Sequence, residues 1–302
     1  MKIIFMGTPD YAAHILEKLL NTKNIEVVAL YTQPDKPVGR KKILTPPAAK
    51  NIALKYGIAI SQPSRLRDKE TVAEVTSIEC DYIVVAAYGQ ILPLEILKHA
   101  PCINLHASIL PHYRGASPIQ QTLLHGDVKT GVTAMLMNEG LDTGDILKIK
   151  EIEVDADEMS ESLFSRLTEV ASDLTIDVLE NFVQYTPKIQ DDSLSSHCKK
   201  ITKQDGEVEF DNATAIFNKY RAFTPWPGIY LTSGLKLKKI ELFEKESQNE
   251  SGRILDIQKD SIIVGCKKGS IKVITLQPES KNEMSALSYI NGKRLNIADT
   301  LS

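Results

Sequence analysis

Cysteine is scarce in this chain: Cys80, Cys102, Cys198 and Cys266 are the only four in 302 residues, and they lie far apart. No pair has the spacing of a redox couple or a structural metal site, which argues against a disulfide scaffold and against a bound metal. Long apolar runs are missing as well. None approaches the ~18 residues of a membrane span, and the apolar stretch from Ile3 to Met6 stops at Gly7, too short for a signal-peptide core. The first turn, Gly7-Thr8-Pro9-Asp10, lacks the spaced glycines of a dinucleotide fingerprint, and no Walker sequence occurs. It reads as a tight turn with Asp10 capping the next helix. An excess of positive charge is also absent. The formal charge is −3, which excludes indiscriminate polyanion binding by the whole molecule. A reduced, soluble, cytoplasmic protein with no membrane association is the expectation.

What is present is an average globular composition, 42% hydrophobic and 25% charged, at a length that implies two domains. The charge is segregated. Residues 1–150 carry +3, 151–192 carry −10 and 193–302 carry +4.

Lys2 to Met6, Val27 to Tyr31, Ile83 to Ala87 and Ile103 to His106 are β-rich apolar runs, separated by helical spacing at Tyr11 to Leu20 and Leu94 to Lys98. Such alternation predicts an α/β fold with a doubly wound, mostly parallel sheet covered on both faces. Leu163, Leu167, Val170, Leu174 and Val178 define one face of a helix from 162 to 183, with its acids expected to face solvent. Gln190 to His197 is polar and reads as a surface linker. Beyond Gly206, short alternating strands at 235–242, 261–265 and 270–276 indicate a small β-barrel or sandwich. The expected organisation is a catalytic domain at 1–189, a linker at 190–205 and a β domain at 206–302.

Special residues concentrate between Asn104 and Ala116, and again at Gly140-Leu141-Asp142-Thr143-Gly144-Asp145. Asn104 and His106 alternate on a strand and so share a face near its carboxyl end, where open α/β sheets bind ligands. An amide donor, a proton-carrying imidazole and a carboxylate to orient it suit acyl-type transfer. Each alone has an ordinary structural explanation as a cap, a core polar group or a turn.

Taken together, Asn104, His106, Ser108-Ile109-Leu110-Pro111, Arg114-Gly115-Ala116, Pro118, Gly126-Asp127, Thr130-Gly131-Val132-Thr133, Met137 and Gly140 to Gly144 resemble the signature of 10-formyltetrahydrofolate-dependent formyltransferases. The resemblance continues through Met6 to Ala12, Gln33 to Lys50, Ala87 to Pro93 and Arg221 to Gly228, nearly the whole chain. Ile109 stands where the family usually has Leu, a volume-conserving change. In the basic loop Lys41 and Ile43 replace a common Gly and Lys.

The resemblance implies a Rossmann-like formyltransferase domain followed by an OB-like β-barrel that grips tRNA. It implies 10-formyltetrahydrofolate as donor, initiator Met-tRNA as acceptor, no metal and a monomer. Asn104, His106 and Asp142 would be catalytic. Val85, Ala86, Tyr88, Gly89, Gln90, Ser108, Ile109, Leu110, Pro111, Leu141, Thr143 and Gly144 would form the folate site. The loop 34–50 holds five basic residues and one acid, and with its four prolines it resembles an insertion that enters an acceptor stem. Arg40, Lys41 and Lys42 would contact tRNA there, and Lys199, Lys200 and Lys203 at the start of the C-terminal part. Sugar or purine-precursor formyltransferases share the Asn-His-Asp core but typically lack both the basic loop and the Pro225-Trp226-Pro227-Gly228 domain. A formylfolate hydrolase and a catalytically silent RNA-binding protein are the further rivals.

Overall fold

A computed structural model describes residues 1–39 and 41–301. The chain opens with β1 (Lys2–Gly7), α1 (Asp10–Leu20) and β2 (Glu26–Tyr31), then a hairpin of β3 (Lys36–Val38) and β4 (Ile43–Thr45). It continues through α2 (Ala48–Tyr56), β5 (Ala59–Ser61), α3 (Lys69–Ser77), β6 (Tyr82–Ala86), α4 (Leu94–Leu97) and β7 (Cys102–His106). After these come β8 (Arg114–Gly115), α5 (Pro118–His125), β9 (Lys129–Leu136), β10 (Ile146–Glu153), α6 (Ser160–Glu180) and β11 (His197–Cys198).

Seven strands form one sheet in the order β10-β9-β7-β6-β1-β2-β5. β7, β6, β1, β2 and β5 run parallel, while β9 is antiparallel to both β7 and β10. The order reverses beside β1, since the chain builds outward to β5 and then returns to lay β6 on the other side. That reversal opens a crevice at the carboxyl ends of β1 and β6. Ile3, Ile4, Phe5 and Met6 are wholly buried, so the central strand is covered on both faces, as its unbroken apolar run predicts.

One local expectation is corrected, one holds and one is narrowed. Asp10 does not cap α1: Pro9 occupies the N-cap without a side-chain hydrogen bond, and Asp10 is the first helical residue, where its charge meets the positive end of the helix dipole. The acids of α6 face solvent as expected: Glu169 and Asp173 are exposed and pair at the surface with His14 and Lys18, and Asp177, half-buried, pairs with Lys148. The polar stretch 190–197 is exposed over 191–194, as a surface linker would be, but its two ends are built into the fold. Gln190 and Cys198 are buried, and β11 pairs in parallel with β8.

The chain packs as two compact units. The first comprises residues 1–118, 129–153 and 163–198, and the second comprises 119–128, 154–162 and 199–302. In the second unit, α7 (Ala213–Phe223) precedes β12 (Ile229–Tyr230), β13 (Lys236–Glu244), β14 (Ile254–Ile257), β15 (Ile262–Gly265), β16 (Ser270–Gln277) and β17 (Met284–Ser285), and α8 (Ala286–Lys293) follows. The strands form an antiparallel sheet in the order β12-β13-β16-β15-β14, with β17 beside β16. The two helices add to the expected strands, and both begin at side-chain caps legible in the sequence: Asn212 accepts from the Ala215 N–H, and Ser285 from the Ser288 N–H.

Truncating the core should show how much the central strand contributes. Ile4→Ala is expected to cost about 2–5 kcal/mol in urea unfolding. A loss under about 1 kcal/mol would contradict the packing described.

Candidate active site

Strand alternation places Asn104 and His106 on one face at the carboxyl end of β7. The ladder holds them there, since Asn104 lies opposite Val85 of β6 on one side, and Asn104 and His106 lie opposite Met135 and Thr133 of β9 on the other. Thr133, fully buried, donates its hydroxyl to the Ser108 carbonyl at 2.7 Å and accepts from the Leu110 N–H at 3.1 Å. The Ser108 hydroxyl donates to the His112 carbonyl at 2.6 Å. The segment 106–113 therefore folds back on itself and brings the Tyr113 carbonyl within 2.9 Å of His106 Nε2. A carbonyl only accepts, so Nε2 carries a proton and the ring is fixed with Nδ1 turned to Asp142.

Asp142 is where the site converges. Its Oδ2 accepts from the Gly115 N–H at 2.8 Å and lies 3.6 Å from His106 Nδ1, while Oδ1 accepts from Asn104 Nδ2 at 3.3 Å. The 3.6 Å separation is an ion-pair distance rather than a hydrogen bond. Asp142 adopts φ +54°, and the loop has no slack after it: a β-carbon on Gly144 would collide with the Leu136 carbonyl. Gly115 is constrained in the same way by the Cys198 carbonyl and sits at φ +117°.

The structure thus brings Asn104, His106 and Asp142 together, with Leu141, Thr143 and Gly144 on the same loop. Leu141 is exposed, and Thr143 is tied to Asn138 at 2.8 Å. Val85 and Ala86 are buried at the end of β6, and Leu110 is buried with Ile109 and Pro111 half-buried beside it. Tyr88 belongs to the core, and its carbonyl accepts from Thr8 and Gln33, both at 3.2 Å. Gly89 is exposed at φ +78°. Gln90 spends its amide on the Leu66 N–H and the Pro63 carbonyl, so its side chain shapes the crevice loop.

The basic loop is the β3–β4 hairpin with the start of α2. Lys50 is withdrawn from its surface, pairing with Asp35 at 2.8 Å and Gln62 at 2.7 Å. Lys36, Lys41 and Lys42 are exposed, as are Val38, Ile43 and Leu44; Arg40 lies outside the described residues. An open cavity of about 420 Å³ runs between the hairpin and the turn after β1, lined by Thr8, Asp10, Gln33, Lys36 and Asn51 among others. None of the three catalytic candidates lines it. Lys199, Lys200 and Lys203 are exposed in the second unit.

Residues that sequence reasoning missed come from the supposed linker. Gln190 donates to the carbonyls of Asp142 and Gly144, and Ser196 and Cys198 accept from the backbone of 113–117. No local pattern marks them, since a polar stretch reads alike whether solvated or buried against carbonyls. No Cys, His, Asp and Glu cluster among the described residues could hold a metal. Burial pushes the Cys198 thiol up, and the Ser108 hydroxyl is engaged, so neither is an activated nucleophile.

A doubly wound sheet that gathers an amide, an imidazole and a carboxylate at its carboxyl edge has the makings of a group-transfer enzyme. The chain belongs to the formyl transferase family: a model described as formyl transferase matches residues 1–179, and one described as formyl transferase, C-terminal domain, matches 200–294. The methionyl-tRNA formyltransferase of a Nitratiruptor species is 54% identical over 302 residues, and that of Campylobacter lari is 50% identical over 301, with 99% of each chain covered in both cases. An N-formyltransferase from Helicobacter canadensis, solved with folinic acid and dTDP-3-aminofucose, has a TM-score of 0.68 at 17% identity, covering 91% of this chain and 99% of that one. HypX from Aquifex aeolicus, solved with tetrahydrofolic acid, has a TM-score of 0.60 at 15% identity. The match covers all of this chain and 49% of HypX, so this chain spans about half its length. At these identities the two solved structures show a shared fold.

Asn104→Ala, His106→Ala and Asp142→Ala are each expected to lower turnover about 100-fold while the melting curve stays cooperative. Near-normal turnover in a folded variant removes that residue from the chemistry. A separate expectation concerns the hairpin base, where hydrogen bonds from Lys50 and then Gln62 hold the Asp35 carboxyl below the usual carboxylate range. A depressed folded pKa stabilises above the unfolded value, about 3.9 for Asp, and the contribution is lost as pH falls through the folded value. Protection of the 34–47 amides, measured relative to their intrinsic exchange rate at each pH, should therefore fall in acid, and Lys50→Met should give the lowered protection already at neutral pH. Equal exchange in the variant and the parent at neutral pH would rule the pair out as the hairpin's anchor.

Proposed function

We propose that this chain transfers the formyl group of 10-formyltetrahydrofolate to the α-amine of methionine on initiator Met-tRNA. The carrying observation is identity of about one half, end to end, with methionyl-tRNA formyltransferases, the hairpin and C-terminal unit included. The site geometry fits that reaction.

The methionyl amine attacks the formyl carbon, forming a C–N bond and a tetrahedral oxyanion. The bond to folate N10 then breaks, with one amine proton lost and one proton delivered to N10. Asn104 Nδ2 engages Asp142 with one of its two N–H groups, which leaves the other to stabilise the oxyanion. Loss of one such donor typically costs about 3 kcal/mol of transition-state stabilisation. His106 has Nε2 committed to Tyr113 and Nδ1 facing Asp142, so its part is to carry positive charge beside the oxyanion and, with Asp142, to pass the amine proton toward N10.

The folate donor would lie along the crevice between the Val85–Gln90 loop, Ser108–Pro111 and Leu141–Gly144. The cavity between the crevice turn and the hairpin would receive the acceptor. Lys36, Lys41 and Lys42 supply uncompensated charge for phosphates, since Asp35 is neutralised by Lys50, and the exposed Val38, Ile43 and Leu44 form an apolar wedge suited to an opened acceptor end. Lys199, Lys200 and Lys203 would add sequence-independent phosphate contacts from the second unit. The reading is of a monomer acting where charged initiator tRNA is found, in the cytoplasm. Acceptors such as nucleotide sugars have no use for so basic a hairpin.

The test is transfer of labelled formyl from 10-formyltetrahydrofolate to Met-tRNA, with uncharged tRNA and nucleotide-sugar controls. Formate release without transfer would instead identify a hydrolase. Arg40→Ala, and the pair Lys41→Ala with Lys42→Ala, should each lower kcat/KM for Met-tRNA about tenfold and leave folate affinity unchanged. An equal loss of folate affinity would detach the hairpin from acceptor binding.

A further inference from the structure

We propose that Gln190 is a positioning residue, the buried link through which Arg114 sets the backbone of the Asp142 loop and so the placement of the Asp142 carboxylate. The proposal rests on the site reading above. Gln190 is 6% exposed and Arg114 3%. Gln190 Nε2 donates to the Asp142 carbonyl at 2.8 Å and to the Gly144 carbonyl at 2.7 Å. Its Oε1 accepts from Arg114 Nε at 3.1 Å and Nη2 at 2.8 Å. Both N–H groups and both lone pairs of the amide are thus used. A flipped amide would set N–H against guanidinium and oxygen against two carbonyls, so the neighbours themselves fix its orientation.

The arrangement grips Asp142 at two points. Arg114 acts through Gln190 on the Asp142 carbonyl, and the next residue, Gly115, donates its N–H to the Asp142 carboxylate. The Asp142 backbone at φ +54° lies in the left-handed region, which is uncommon for a residue with a β-carbon although aspartate tolerates it better than most. Two buried donors on the carbonyls at 142 and 144 hold it there. The outer end of the chain is Asp192, whose carboxylate accepts from Arg114 Nη2 at 2.8 Å but is 82% exposed, so it contributes little. Glutamine is required over glutamate because a carboxylate at 190 would oppose two carbonyl oxygens while keeping the arginine.

The experiment compares Gln190→Glu with the parent enzyme in formyl transfer to Met-tRNA, in thermal melting, in the pH dependence of kcat, and in amide exchange across 138–146. The expected result is a kcat about 10- to 100-fold lower with KM for either substrate within about threefold. It also includes a displaced pH profile, because His106 and Asp142 no longer hold their spacing, and faster exchange in 138–146 alone. Asp192→Ala should stay within about threefold of the parent. Should Gln190→Glu fail to fold, Arg114→Lys, which leaves the Gln190 oxygen short of a donor, must show the same pattern at smaller amplitude. A kcat within about twofold of the parent, or a loss of kcat with unchanged pH profile and unchanged exchange, overturns the proposal. If the parent enzyme transfers no formyl, the functional reading fails, and exchange across 138–146 still decides the positioning role.

Discussion

The candidate site depends on one carboxylate held in a fixed place. Asp142 sits in a left-handed backbone conformation at the end of a loop, accepts the Gly115 N–H and the Asn104 amide, and faces the His106 ring. A partly buried charge of this kind persists only when its acceptor capacity is satisfied and its neighbours cannot drift. Three elements distant in sequence supply those neighbours: the end of β7, the turn at β8, and the stretch leading to β11. The first two meet the carboxylate and the imidazole directly, and the third holds the backbone carbonyls at 142 and 144.

The segment 113–117 is the hub through which those elements meet. Its carbonyl at Tyr113 fixes the tautomer of His106, its N–H at Gly115 reaches the carboxylate, and its backbone runs beside Ser196 to Cys198. Close approach of that second rail is what demands glycine at 115, since a β-carbon would meet the Cys198 carbonyl. Backbone geometry here is thus set by chain-to-chain packing, and the chemistry inherits its precision from that packing.

Charge follows a comparable logic. The acidic block around α6 is at the surface and partly paired to α1 and β10, so it carries less free negative charge than a count of residues suggests. The hairpin behaves in the opposite way. Its single acid is neutralised by Lys50, and among the described residues Lys36, Lys41 and Lys42 stand exposed beside the exposed Val38, Ile43 and Leu44. A molecule with net charge −3 can therefore present local basic surfaces to a polyanion and still release it.

Much of the fold was legible in the residues themselves. Unbroken apolar runs separated by helical periods specified the parallel sheet, because burial on both faces leaves no polar alternation to confuse the reading. The i, i+2 spacing of Asn104 and His106 put them on one face, and the dense special residues at 104–116 and 140–145 are the two stretches that the fold brings together. Tertiary structure alone decided the rest. Nothing near Gln190 in the chain says that it is buried, because its hydrogen-bond partners come from residues 114, 142 and 144. Likewise the pairing of Asp35 with Lys50, the commitment of His106 Nε2 to Tyr113 and the inclusion of 119–128 and 154–162 in the second unit depend on contacts between separate segments. Local sequence determined which elements form and which side chains share a face, since those follow from the period of the backbone. Which polar group meets which was settled only when the folded chain closed those distances and excluded water from between them.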